Sequence, residues 1–168
     1  MKLIAFTGRP RSGKDTAANY LAQNHGYAKR SFATPLKEAA SILLDRPLWQ
    51  VHGEDGFDRE AILPEWGFSM RWFLQRVGTE CLRQQIAEDF WLRRLENTLA
   101  PGGSYVITDC RFDNERDFIA MLGGTIIEIR RRTSIASEHV SEKGTHAHYS
   151  ISNDGTLDEL YEKVRRFA

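Results

Sequence analysis

Short apolar runs alternate with amphipathic stretches along most of this chain. Leu3, Ile4, Ala5 and Phe6 form an unbroken apolar run, which reads as a buried strand over residues 2–7. Further strands are predicted at 27–32, 105–108 and 125–129, with a last short one at 149–152. Between them the apolar positions fall at helical spacing. Ala17, Ala18, Leu21 and Ala22 make a small-residue stripe on a helix over 14–24, suited to packing on a sheet. Pro35 opens a helix reaching about residue 44, at the turn where its missing N–H costs nothing. Helices are predicted over 69–86, bent or broken at Gly78, and over 89–99. One over 114–122 stops at the Gly123-Gly124 pair, as a glycine cap requires. Thr156 with Glu159 reads as a capping box that opens a final helix to about residue 167. Two stretches have no period. Residues 45–68, rich in Gly, Pro, Asp and Trp, predict an irregular loop, and the polar residues 131–148 have the composition of a mobile lid.

Strands alternating with helices predict an α/β fold, a three-layer α/β/α arrangement around a central, mainly parallel sheet of about five strands. Ligands in such sheets bind beyond the carboxyl ends of the strands. Those ends carry Gly8, Ala33 and Thr34, Asp109 and Arg111, and Arg130 and Arg131. With 168 residues the chain suits one domain, 1–168, with a proper core. Lys plus Arg and Asp plus Glu each total 23, so the zero formal charge predicts neither broad nucleic-acid binding nor an anionic-membrane partner. Cys81 and Cys110 make no disulfide framework, no run approaches membrane-spanning length, and the expected compartment is the cytoplasm.

The sharpest chemistry lies at residues 8–16, Gly-Arg-Pro-Arg-Ser-Gly-Lys-Asp-Thr. Gly8, Gly13 and Lys14 have P-loop spacing, after a strand and before a helix. Glycines allow the tight turn, successive N–H groups point at phosphate oxygens, and Lys14 reaches the β- and γ-phosphates beside a helix N-terminus. Asp15 stands where Ser or Thr usually offers Mg²⁺ a hydroxyl; its carboxylate is still a hard oxygen ligand, direct or through water. Asp109 ends an apolar strand, where a second acidic residue reaches Mg²⁺ or its water in P-loop proteins, although strand-end aspartates also serve as caps. Cys110 between Asp109 and Arg111 has no histidine at a suggestive spacing and reads as structural. His139, His146 and His148 with Glu138 and Glu142 match no tight zinc spacing and read as lid residues.

Several blocks together resemble the bacteriophage deoxynucleoside monophosphate kinases, P-loop enzymes of the nucleoside monophosphate kinase type. They are Gly8 to Thr16 with its uncommon Lys14-Asp15-Thr16 ending, Ala33-Thr34-Pro35-Leu36-Lys37-Glu38, and Leu74-Gln75-x-x-Gly78-Thr79-Glu80 between Arg71 and Trp91. Asp109-x-Arg111-x-x-x-Glu115, His139-x-x-Glu142 and Asn153-Asp154-Gly155 follow in the same order. The resemblance implies a P-loop kinase with a helical monophosphate-binding region at 45–99 and a lid at 131–148. Gly8, Arg11, Ser12, Gly13, Lys14, Asp15 and Thr16 would hold the ATP phosphates, with Asp15 and Asp109 on Mg²⁺, and Arg130 and Asn153 would join the donor side. Lys37, Arg71, Gln75 and Trp91 would take the monophosphate through cations, an amide on the base edge and a stacking indole. Trp91 at helical spacing reads equally as core. Arg111 would bridge acceptor and transferred phosphoryl group, and Arg131 or its neighbour would close on the triphosphate. The implied partners are small molecules, ATP and a deoxynucleoside monophosphate, and a homodimer stays open. Two further readings remain at this level: a related small-molecule kinase, since animal phosphomevalonate kinases resemble the P-loop and the Pro-Leu-Lys-Glu block, and a nucleotide-binding switch. Trp91 and Gln75 favour an acceptor that carries a base.

Overall fold

The computed structural model describes residues 1–132 and 145–168. Most of the predicted lid, with Glu138, His139 and Glu142, therefore lies outside the described residues. Two compact units are present, one of residues 1–32 and 92–168 and the other of residues 33–91.

The first unit is built on a five-stranded, wholly parallel sheet. Its strands are β1 (Lys2–Thr7), β2 (Ala28–Arg30), β5 (Ser104–Ile107), β6 (Thr125–Arg130) and β7 (Tyr149–Ser152), in the spatial order β2-β5-β1-β6-β7. β1 is central because Leu3 to Phe6 are all buried, so both faces of the strand must be covered. On one face α1 (Lys14–His25) and α7 (Leu157–Arg165) set Ala17, Ala18, Leu21, Leu160 and Val164 against Ile4, Phe6, Ile127 and Ile129. Small residues on α1 let the helix approach closely, and Tyr20 stacks on Tyr161 with ring centroids 4.4 Å apart. α6 (Asp113–Met121) lies against β6 and buries Phe118 and Ile119. The strand order reverses around β1, which is where open parallel sheets place their ligands.

The second unit is mostly helical. α2 (Thr34–Leu43) has its proline in the first turn as expected. Residues 45–68 are not an irregular loop: they contain α3 (Leu48–His52) and the β3 (Ile62–Leu63) arm of a two-stranded antiparallel ribbon whose β4 arm is Phe68–Ser69. Val51 and Leu63 hold this stretch to Ala40, Leu44 and Met70 in the unit's core. The region predicted as one bent helix is α4 (Met70–Gln75) continuing into a π-helix, Arg76–Ile86. Instead of a break at Gly78 there is a change of helical register. The Gly78 carbonyl accepts from Trp91 Nε1 at 2.9 Å, a side chain entering the helical ladder of the kind that accompanies widened turns. Gly78 itself is packed against Leu36, leaving no room for a Cβ. α5 (Phe90–Glu96) follows. No described helix is long and apolar enough to cross a membrane.

Candidate active site

The loop between β1 and α1 is shaped by its backbone. Gly8 and Gly13 take φ of 128° and 107°, and a Cβ on Gly8 would strike the Ile129 carbonyl. Arg11 sits at φ 61°, a left-handed conformation that a non-glycine residue adopts at a cost and that clusters at functional sites. Ser12 N–H donates to the Arg9 carbonyl at 3.3 Å, closing the turn. Gly13 is the N-cap of α1 and supplies no side-chain cap, so the first-turn amides keep their capacity for an anion. Ser12 is fully buried, and its Oγ has no hydrogen-bond partner among the described residues. Lys14 Nζ folds back on the loop, donating to the Gly8 and Arg9 carbonyls at 2.8 and 2.7 Å. Asp15 projects into solvent from the first turn, with Thr16 half-buried beside it.

The neighbouring strand ends add charge. Asp109 is buried, its Oδ1 accepting from Phe32 N–H at 2.9 Å and its Oδ2 from Ser31 Oγ at 2.8 Å. It thus pins the end of β2 to the end of β5, the capping role that strand-end aspartates often have. Arg111 is half-buried, and its N–H donates to Glu115 Oε2 at 2.8 Å, as does that of Phe112 at 3.2 Å. Glu115, only 2% exposed, therefore fixes the backbone that carries Arg111. Sequence reading saw Glu115 in a motif but gave it no role; its place four residues after Arg111, at the start of a helix, was the available signal. Burial, with Glu115 and Asp109 adding to it, pushes the Cys110 thiol far above its ordinary range, so it is no nucleophile.

Arg130 ends β6 with an exposed guanidinium held by Glu128 at 2.7 Å, which raises its pKa further. Arg131 is exposed. Asn153 is buried, and its Nδ2 donates to the Ser12 carbonyl at 2.8 Å, so the amide faces the loop backbone rather than an open nucleotide site. Thr145 N–H returns to Thr7 Oγ1 at 3.2 Å, and a polar hollow of about 530 Å³ opens here, lined by Asp113, Glu128, Arg130, Thr145, His146 and Tyr149.

In the second unit Arg71 and Gln75 are both half-buried and stand four residues apart on α4, hence on one helix face. Arg71 is ion-paired with Glu60, and Lys37 is half-buried on α2. Trp91 corrects an expectation. Its indole is 6% exposed, is bonded to Gly78 and packs edge-on to Phe90 at 4.9 Å. It is a strut of the unit's interior and presents no open stacking face.

Among the described residues no group of three or more His, Cys, Asp or Glu is gathered to hold a metal.

Three comparisons bear on the chain. The family model described as deoxynucleotide monophosphate kinase matches residues 2–64 and 50–164. A candidate deoxynucleotide monophosphate kinase of Acanthamoeba polyphaga mimivirus is 35% identical over 185 residues, covering 98% of this chain and 94% of its own length. The deoxynucleotide monophosphate kinase of Enterobacteria phage T4 is 22% identical over 237 residues, covering 98% of each. A crystal structure of a Thermus thermophilus protein shares the fold, with a TM-score of 0.53 and 17% identity over 98% of this chain and 94% of that one.

Proposed function

This chain belongs to the deoxynucleotide monophosphate kinase family, and we propose that it transfers the γ-phosphoryl group of ATP to a deoxynucleoside monophosphate, giving the diphosphate. The observation that carries the reading is the loop itself: uncapped first-turn amides, two glycines and Arg11 at positive φ, and a buried Ser12 hydroxyl with no partner among the described residues. An orphaned buried hydroxyl costs about 1–3 kcal/mol, which a phosphate oxygen would recover.

In-line transfer needs positioning and charge stabilisation rather than a protein nucleophile. The amides of Gly8, Arg11 and Gly13 and the Ser12 hydroxyl would hold the donor phosphates together with Thr16. Lys14 would leave the Gly8 and Arg9 carbonyls for the β- and γ-phosphates. Arg111, set by Glu115, and Arg131 would meet the charge that spreads over the equatorial oxygens. Arg71 and Gln75, on one face of α4, would take the acceptor's phosphate and base edge with Lys37. For Arg71 this means exchanging Glu60 for phosphate. Asp15 and Asp109 would hold Mg²⁺, Asp109 with each of its oxygens also accepting one hydrogen bond. When bound, Mg²⁺ supplies positive charge that offsets Asp15 and the triphosphate.

A coupled assay of ATP consumption against deoxynucleoside and ribonucleoside monophosphates, with phosphomevalonate as a contrast, tests the proposal. Stimulation by at least one deoxynucleoside monophosphate is expected. Stimulation by phosphomevalonate alone, or by nothing, would overturn it.

A further inference from the structure

The P-loop, the end of β6 and the turn after β7 meet in a set of hydrogen bonds that phosphoryl transfer does not itself use. Asn153 N–H donates to the Arg130 carbonyl at 2.7 Å, while its side-chain Nδ2 donates to the Ser12 carbonyl at 2.8 Å. The next residue continues the pattern: Asp154 Oδ1 accepts from Arg132 N–H at 2.7 Å and Oδ2 from Ser152 Oγ at 2.9 Å. Arg132 Nε stands 3.8 Å from the same carboxylate. Lys163 of α7 donates to the Ser152 carbonyl at 2.8 Å and steadies the turn from behind.

We propose that Asn153 and Asp154 are positioning residues for the donor phosphates, tying the P-loop backbone and the arginine segment 130–132 into one preset frame. The inference rests on the reading that this loop holds the donor triphosphate, and it goes beyond it by assigning these two residues to the frame rather than to the nucleotide.

Two features make the tie specific. Ser12 is fully buried and Asn153 is 7% exposed, so water has little access to replace the amide donor if it is lost. A Cβ on Gly13 would run into Asn153 Nδ2, so the amide fills the space that the second P-loop glycine leaves open. A loop whose amides act on charge gains from being fixed before the ligand arrives, because reorganisation is then not needed during transfer. Asp154 extends the same restraint to the peptide of Arg132. It is an exposed residue, so its replacement removes the tie without opening the core.

The test is steady-state kinetics on Asn153→Ala, Asp154→Ala and Asp154→Asn, varying ATP and the monophosphate separately, with thermal unfolding of each variant. Asn153→Ala is expected to raise the KM for ATP about tenfold while leaving the monophosphate KM within about twofold. Asp154→Ala should raise the ATP KM about threefold, and Asp154→Asn, which keeps an Oδ1 acceptor for Arg132 N–H, should return close to the parent value. A fall in Tm and kcat with no change in the ATP KM would overturn the proposal. So would an Asp154→Asn variant as impaired as Asp154→Ala. Should Asn153→Ala fail to fold, the exposed Asp154 pair decides alone. An unmodified enzyme that phosphorylates no monophosphate defeats the underlying kinase reading, whereas an active one with an unmoved ATP KM in the variants defeats only this inference.

Discussion

In the unit of residues 1–32 and 92–168 the groups proposed for the donor phosphates start from backbone, the amides at the start of α1 and a loop shaped by Gly8 and Gly13 and held by Asn153, with Lys14, Arg111 and Arg131 added as side chains. In the unit of residues 33–91 the groups proposed for the acceptor are side chains alone, Lys37, Arg71 and Gln75, standing on α2 and α4 around a core of Ala40, Leu44, Val51, Leu63 and Met70. Backbone amides cannot be exchanged by substitution and recognise a phosphate chain whatever base it carries. Side chains can be exchanged, one at a time, without rebuilding the fold. On the proposed function, the contrast would put the invariable chemistry in the first unit and the choice of acceptor in the second.

The largest effect expected from breaking that contrast is at Lys14, which would have to leave the Gly8 and Arg9 carbonyls to reach the transferred group. Lys14→Ala should lower kcat/KM by at least about two orders of magnitude, comparable to losing one preorganised donor, as read by single-turnover kinetics. Near-normal turnover would remove the loop from the chemistry. Arg71→Ala should be smaller and one-sided. It removes a charge-assisted contact of roughly 1.4 kcal/mol, raising the monophosphate KM about tenfold while the ATP KM stays put. An equal rise in both would erase the division between the units. Trp91→Phe keeps the ring but loses the bond to Gly78, and should lower stability by about 1 kcal/mol with little change in either KM. A selective loss of monophosphate affinity would restore the stacking role. The smallest effect concerns the cysteines. In the folded protein Cys81 should react with a thiol reagent and Cys110 should not until unfolding. Because burial lifts the folded Cys110 thiol above its unfolded value, the stability it contributes is present below about pH 8.5 and declines as pH rises beyond it. Cys110→Ala should flatten that decline in denaturant midpoints measured across this range.

The same contrast explains what the sequence made legible. β1 and β6 fall within a residue of their predicted ends because apolar runs mark strands with two covered faces; the edge strand β7, where only Ile151 is buried, matches its predicted ends without such a run. In unit two α2 was legible, but residues 45–69 resisted reading because their elements are shorter than the periods that reveal them. α3 spans five residues and each arm of the ribbon two, so Val51 and Leu63 leave no repeating signal. The π-helix has no local signature either; its Gly78 carbonyl is met by Trp91, thirteen residues on. Distance also hid the partners of recognised residues. Asp109 was readable as a strand end, but Ser31 and Phe32, which occupy its oxygens, lie 78 and 77 residues away. Asn153 was readable as a motif member, while its bond to Ser12 spans 141 residues.

The most direct test of the account follows the phosphoryl group itself. ATP labelled at its terminal phosphate should pass the label to a deoxynucleoside monophosphate, with label accumulating in the diphosphate as ATP is consumed. Label appearing only as inorganic phosphate, or remaining on ATP with every acceptor, would contradict it.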